Sequence, residues 1–116
     1  MRKAVSCLAV VWLAVTGGVV CSARGGTGGD GLKAGERLFK VKCAGCHPGG
    51  SNVVQHNRPV MGSPKLSDFD TFNRFIRRPT EPDGSRGLMP SFRPSTISDA
   101  QSRQLYDYIA RGLEKK

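Results

Sequence analysis

The sequence predicts an all-α fold, a single small domain of about three main helices joined by proline-rich loops. Three observations carry that expectation. Apolar residues recur at helical spacing in three separate stretches. Capping residues stand at the starts of those stretches. No stretch alternates apolar and polar residues as a half-buried strand would, and there are no internal repeats.

The first element is a targeting segment. Arg2 and Lys3 precede an apolar run over residues 4–20, and Cys21, Ser22 and Ala23 follow. This layout predicts a secretory signal peptide over residues 1–23, cut after Ala23. Ser6, Thr16, Gly17 and Gly18 interrupt the run, which makes it a poor match to a spanning helix of ~20 apolar residues. Two alternatives stay open. Retention of the segment, or a lipid on Cys21 as in bacterial lipoproteins, would tether the protein to a membrane. Every option exports the domain, to the bacterial periplasm or, alternatively, the thylakoid lumen.

Residues 24–31, Arg-Gly-Gly-Thr-Gly-Gly-Asp-Gly, are expected to form a flexible leader with almost nothing to bury. The folded domain is expected over residues 32–116. It opens with a helix over residues 32–42, with Asp30 as its cap and Ala34, Leu38 and Phe39 among its apolar positions.

Cys43-Ala44-Gly45-Cys46-His47 follows at once. This C-x-x-C-H run is the attachment signature of c-type haem. Two thiols three positions apart on a helical turn can each form a thioether to one porphyrin vinyl group. The adjoining imidazole then meets the iron from the proximal side. A C-x-x-C pair alone also fits a redox dithiol or half a zinc site. His47 argues against the first, and the lack of any further cysteine in residues 32–116 argues against a Cys-rich zinc site. One covalent haem c is the expected cofactor.

Past His47, the run Pro48-Gly49-Gly50-Ser51 breaks regular structure, and the chain to Pro64 is expected to be mostly loop. Ser67-x-x-Asp70 then reads as the capping signal of a second helix. Phe69, Phe72 and Ile76 fall on one side of it, and Arg74, Arg77 and Arg78 on the other, before Pro79 ends it. A loop carrying Pro79, Pro82, Pro90 and Pro94 leads to the last helix. That helix starts at Ser98, with Gln101 completing a capping box, and places Leu105, Tyr108 and Ile109 on its apolar side. So small a core would be marginal alone, and folding is expected to be linked to cofactor attachment.

Met89, Met61 and His56 are the candidates for a second axial ligand. Met89 stands in Leu88-Met89-Pro90-Ser91-Phe92, where Pro90 stiffens the backbone beside the sulfur. Rigidity matters because a thioether is a weak iron ligand that water displaces from a floppy loop. Met89 is therefore the expected distal ligand. Met61 is expected to pack, and His56 to be a solvated loop side chain.

In order, helix, C-x-x-C-H, middle helix, Met-Pro loop and final helix resemble a class I c-type cytochrome from residue 32 onward. Gly35 and Phe39 match the family's Gly-x-x-x-aromatic pattern, and Leu105 and Tyr108 match its paired positions in the last helix. The resemblance implies that these two helices cross in contact, with Cys43 and Cys46 as thioether sites, His47 as proximal ligand and Met89 as distal ligand. His47 to Val54 is also similar to the Gly-Gly-x-Asn-Val run of the soluble carriers that replace plastocyanin in algae and cyanobacteria. The resemblance implies a small class I fold around one covalent haem.

A monohaem electron carrier is the leading expectation, with no enzymatic activity of its own. Asp68 and Asp70 suggest paired carboxylates, yet Asp70 more simply serves a helix N-terminus. A haem-based ligand sensor and a haem relay subunit of a larger oxidoreductase, docking through Arg74–Arg78, are the alternatives. The formal net charge is +9. Without Arg2 and Lys3 it falls to about +7, which points to redox partners with acidic docking surfaces. No nucleic-acid motif appears, and a monomer is expected. Lys42, Arg58, Arg86 and Arg93 are the cations expected to steer such partners.

Overall fold

The computed structural model describes residues 28–113. The expected signal segment, with Cys7 and Cys21, lies outside them. Three α-helices carry the fold: α1 (Gly28–Lys42), α2 (Phe69–Arg77) and α3 (Asp99–Arg111), with short 3-10 turns at Pro48–Gly50 and Pro64–Leu66. Among the described residues there is no strand, only an isolated bridge between Thr80 and Arg86. The all-α expectation holds.

Helix α1 starts four residues sooner than expected, inside the glycine-rich run, so residues 28–31 are helix rather than leader. Asp30 is accordingly no cap. It lies in the first turn, where a carboxylate meets the positive end of the helix dipole. Helix α1 packs chiefly on α3. Gly35 sets how close the two come: a Cβ there would stand 2.1 Å from the Gln104 carbonyl oxygen and 2.8 Å from Tyr108 Cβ. One turn on, the Phe39 and Tyr108 rings meet with centroids 5.6 Å apart and tilted by 57°. These are the crossing contacts that the class I resemblance implies.

The core joins Phe39, Phe72, Ile76, Phe92, Ile97, Leu105, Tyr108 and Ile109 with Cys43. Cys43, the first thiol of the motif, is therefore part of the hydrophobic interior.

Helix α2 is capped by Asp68, one residue from the expected position. Asp68 accepts the Thr71 amide at 2.8 Å and the Thr71 hydroxyl at 2.8 Å. Ser67, the expected cap, donates its hydroxyl to Asp68 at 3.0 Å instead. The Thr71 amide bond, then the Thr71 and Ser67 hydroxyls, hold the Asp68 carboxyl below its ordinary range. Phe72 and Ile76 are buried as expected. The arginines do not form one exposed side. Arg78 is exposed, Arg74 reaches Thr71 at 3.4 Å, and Arg77 turns inward.

Helix α3 follows its expected signal closely. Ser98 accepts the Gln101 amide, and the Gln101 side chain accepts the Ser98 amide in return. Leu105, Tyr108 and Ile109 are buried.

Candidate functional site

The C-x-x-C-H residues occupy the turn that closes α1. The Cys43 amide still donates to Phe39 O at 2.8 Å, continuing the helix. The Cys46 and His47 amides both donate to Cys43 O, at 3.1 and 2.8 Å. That geometry puts Cys43 on the core side and leaves Cys46 exposed. No disulfide joins them.

His47 is oriented by one bond. Its Nδ1 lies 3.0 Å from Ser51 O, and a carbonyl only accepts, so Nδ1 carries the proton. The lone pair is then on Nε2, at the far side of the ring, which is the arrangement a metal-bound histidine needs. Ser51 is held in turn by its hydroxyl, which donates to Pro48 O at 2.7 Å. Gly50, with φ of 87°, makes this turn compact: a Cβ there would meet Met61 Cγ at 2.7 Å. Met61 thus packs against the turn behind the motif.

Cys43 is a poor thiolate. Burial first, and the neighbouring Cys46 second, push its thiol up to about 11. Among the described residues no three His, Cys, Asp or Glu side chains converge as ligands of one ion. Cys43, Cys46 and His47 are splayed along one turn, as two attachment points and one axial ligand require. The donor set fits a covalently held haem and does not fit zinc.

Met89 is half-buried against the core on a separate loop. That loop leaves and returns at the end of α2. The Gly87 amide donates to Pro79 O at 3.1 Å, and the Phe92 amide to Ile76 O at 2.8 Å, so Met89 is bracketed on both sides. Large apolar side chains beside the candidate donors are left in solvent: Val53 and Val54 at 46% and 53% exposure, and Leu88 at 76%. Such exposure next to an oriented histidine and a methionine fits a large apolar ligand. His56 is an exposed loop residue.

The loop after the motif and the loop before Met89 are tied together. Asn52 folds the first by accepting the Val54 and Gln55 amides at 3.0 and 2.9 Å. Arg58 forms an ion pair with Glu81 across to the second, and Gln55 reaches Glu81 at 3.5 Å. Arg58 is exposed but paired with Glu81, and Lys42, Arg86 and Arg93 are exposed as well. Two clefts run along α3. One of about 340 Å³ touches the motif through Ala44 alone and is otherwise lined by residues such as Phe39 and Tyr108, and one of about 240 Å³ lies between Met61, Leu66 and Ile109. Neither is lined by Cys46, His47 or Met89.

The sequence alone did not reveal Ser51 and Glu81 as supports of the site. Asn52 before Val53-Val54 was a readable turn signal. The other roles depend on which loops meet, and no local pattern carries that.

Known proteins share this architecture. Residues 30–109 match the family described as cytochrome c oxidase, cbb3-type, subunit III. Cytochrome c6 of Cyanidium caldarium is 25% identical over 84 residues, covering 72% of this chain and 73% of the relative. Cytochrome c6 of Cyanidioschyzon merolae is 28% identical over 86 residues, covering 72% and 77%. The PsbV2 cytochrome of Thermosynechococcus elongatus has the same fold, with a TM-score of 0.65 at 24% identity, over 73% of this chain and 71% of that one. With the match spanning most of the described residues and the C-x-x-C-H turn inside it, the chain belongs to this family: it is a monohaem class I c-type cytochrome, with covalently bound haem c, of the electron-transfer type.

Proposed function

We propose that the chain is an exported single-electron carrier in which Cys43 and Cys46 hold haem through two thioethers, His47 is the proximal ligand and Met89 the distal one. Haem, when bound, supplies a one-electron ferric/ferrous couple. The chain's residues do the rest. Cys43 and Cys46 fix the cofactor to the end of α1. Ser51 O holds the His47 ring with Nε2 free for the iron. Met89, bracketed by the Gly87 and Phe92 amides, would supply the second iron ligand and keep small ligands and water out. Both positions being filled is the reason this reading assigns no enzymatic activity.

The observation that carries the reading is the Nδ1 bond of His47, made inside the same turn that presents both thiols. Lys42, Arg86 and Arg93 supply positive charge around the motif and the Met89 loop, suited to acidic partners that dock weakly and briefly. Among the described residues no helix is long and apolar enough to cross a membrane.

The test is an intact-mass measurement with an optical spectrum of the exported protein. A haem-sized mass increment and a weak red band in the ferric state are expected. Met89→Ala is expected to remove that band, and Met61→Ala to keep it. The reverse pattern would assign the distal position to Met61.

The description of the matched family, an oxidase subunit, favours a second reading: a haem relay within a larger oxidoreductase. Co-purification with such an enzyme distinguishes it from a free carrier.

A further inference from the structure

Arg77 is the arginine that the helical pattern assigns to solvent and the fold does not. Its side chain is 16% exposed. Nη1 donates to Phe92 O at 2.8 Å and to Ile97 O at 2.6 Å, while Nη2 donates to Asp99 Oδ1 at 2.8 Å. One guanidinium thus grips both ends of the 92–97 turn and the first residue of α3. The turn's own bonds are local: the Thr96 and Ile97 amides both donate to Arg93 O, at 2.8 and 3.0 Å. One main-chain bond, Phe92 N–H to Ile76 O at 2.8 Å, ties it back to α2. Asp99 is steadied from the other side by Asn73 at 3.5 Å, and Asn73 accepts the buried Ser102 hydroxyl at 2.8 Å.

We infer that Arg77 is the positioning residue of the distal side, fixing the 92–97 turn on α2 and thereby the place of the Met89 thioether three residues upstream. The inference rests on the reading of Met89 as distal ligand. Its physical basis is leverage. A thioether holds iron weakly, so any free energy lost from the loop's docked state appears directly as a larger fraction of open distal positions. The planar fork of arginine reaches two carbonyls and a carboxylate at once. A lysine in its place keeps the charge and loses that geometry.

The experiment uses the haem-loaded ferric protein and titrates it with imidazole, which competes for the distal position. Arg77→Gln is expected to raise the apparent imidazole affinity about tenfold, the effect of losing roughly one charged hydrogen bond's worth of stability. Arg77→Lys is expected to raise it less. Gly35→Ala, which crowds α1 against α3 away from the 92–97 turn, is expected to lower Tm without changing imidazole affinity. In a Met89→Ala background the Arg77→Gln effect is expected to vanish. Exchange of the Phe92 amide with solvent deuterium is expected to quicken about tenfold in Arg77→Gln and to quicken in Arg77→Lys.

An unchanged affinity in Arg77→Gln, an equal rise in Gly35→Ala, or a rise that persists without Met89 overturns the inference. If Arg77→Gln does not fold, Arg77→Lys decides, and unchanged Phe92 exchange there overturns it. Failure of the underlying reading is separate: Met89→Ala alone would then keep the parent's imidazole affinity and red band.

Discussion

The turn at residues 43–47 is held by bonds reaching three to seven positions along the chain, from Cys46 and His47 to Cys43, from His47 to Ser51 and from Val53 to Cys46. The Met89 segment is held by bonds reaching eight to twenty-two positions, from Gly87 to Pro79, from Phe92 to Ile76 and from Arg77 to Phe92, Ile97 and Asp99. The proximal side forms wherever α1 ends. The distal side exists only once α2, the proline-rich loop and α3 have docked. The contrast suits the proposed division of labour: a permanent attachment on one side, and on the other a weak ligand whose strength is adjustable by packing.

The largest test of the contrast removes both thiols. Cys43→Ser with Cys46→Ser is expected to abolish the haem-sized mass increment and leave the helices largely unformed, as read by intact mass and circular dichroism. A core of this size would be marginal without its cofactor. Helix formation that persisted in this variant would show that the polypeptide core suffices.

Next is Gly35→Ala. A Cβ placed 2.1 Å from Gln104 O forces α1 away from α3, for a loss of about 3 kcal/mol in denaturant unfolding. Helix propensity alone would give a small gain, so the sign discriminates.

Ile97→Val sharpens the distal side. Ile97 is fully buried under the turn that Arg77 grips, and losing one methyl is expected to cost about 1 kcal/mol. Backbone amide exchange is expected to quicken around Phe92 and to stay unchanged at His47. Equal quickening at both would mean the two sides open as one unit.

The smallest effect is expected from Asp68→Asn. The Thr71 amide bond depresses this carboxyl below its ordinary value of 3.8, so its charged form is favoured by folding. The contribution is present above that value and is lost as pH falls through the lower folded value. Parent and variant are expected to differ slightly in Tm at neutral pH and to converge in acid. A gap that widened in acid would contradict the assignment of the cap.

The same contrast explains what was legible in the sequence. Cys43, Cys46 and His47 are read from five adjacent residues because a single turn makes the geometry. Ser98 and Gln101 are read likewise, since a capping box lies within four positions. Ser67 and Asp68 are both capping residues, and local pattern does not choose between them. Only the carboxylate reaches the Thr71 amide here. Glycine's poor helix propensity hid the first turn of α1 at Gly28. The helical period correctly gave the side on which Arg77 stands. It carried no information that the loop returning from Met89 would lie across that side.

The approach of α1 to α3 at Gly35 also sets a timetable for biosynthesis. Phe39 and Cys43 leave the ribosome early, while Leu105 and Tyr108, which cover them, come some sixty residues later. At about 5–20 residues per second that interval lasts roughly 3–12 s. Through it the thiol that ends in the core stands open to solvent and to any machinery that joins it to a cofactor. When α3 arrives, Leu105 and Tyr108 close the core that holds Cys43.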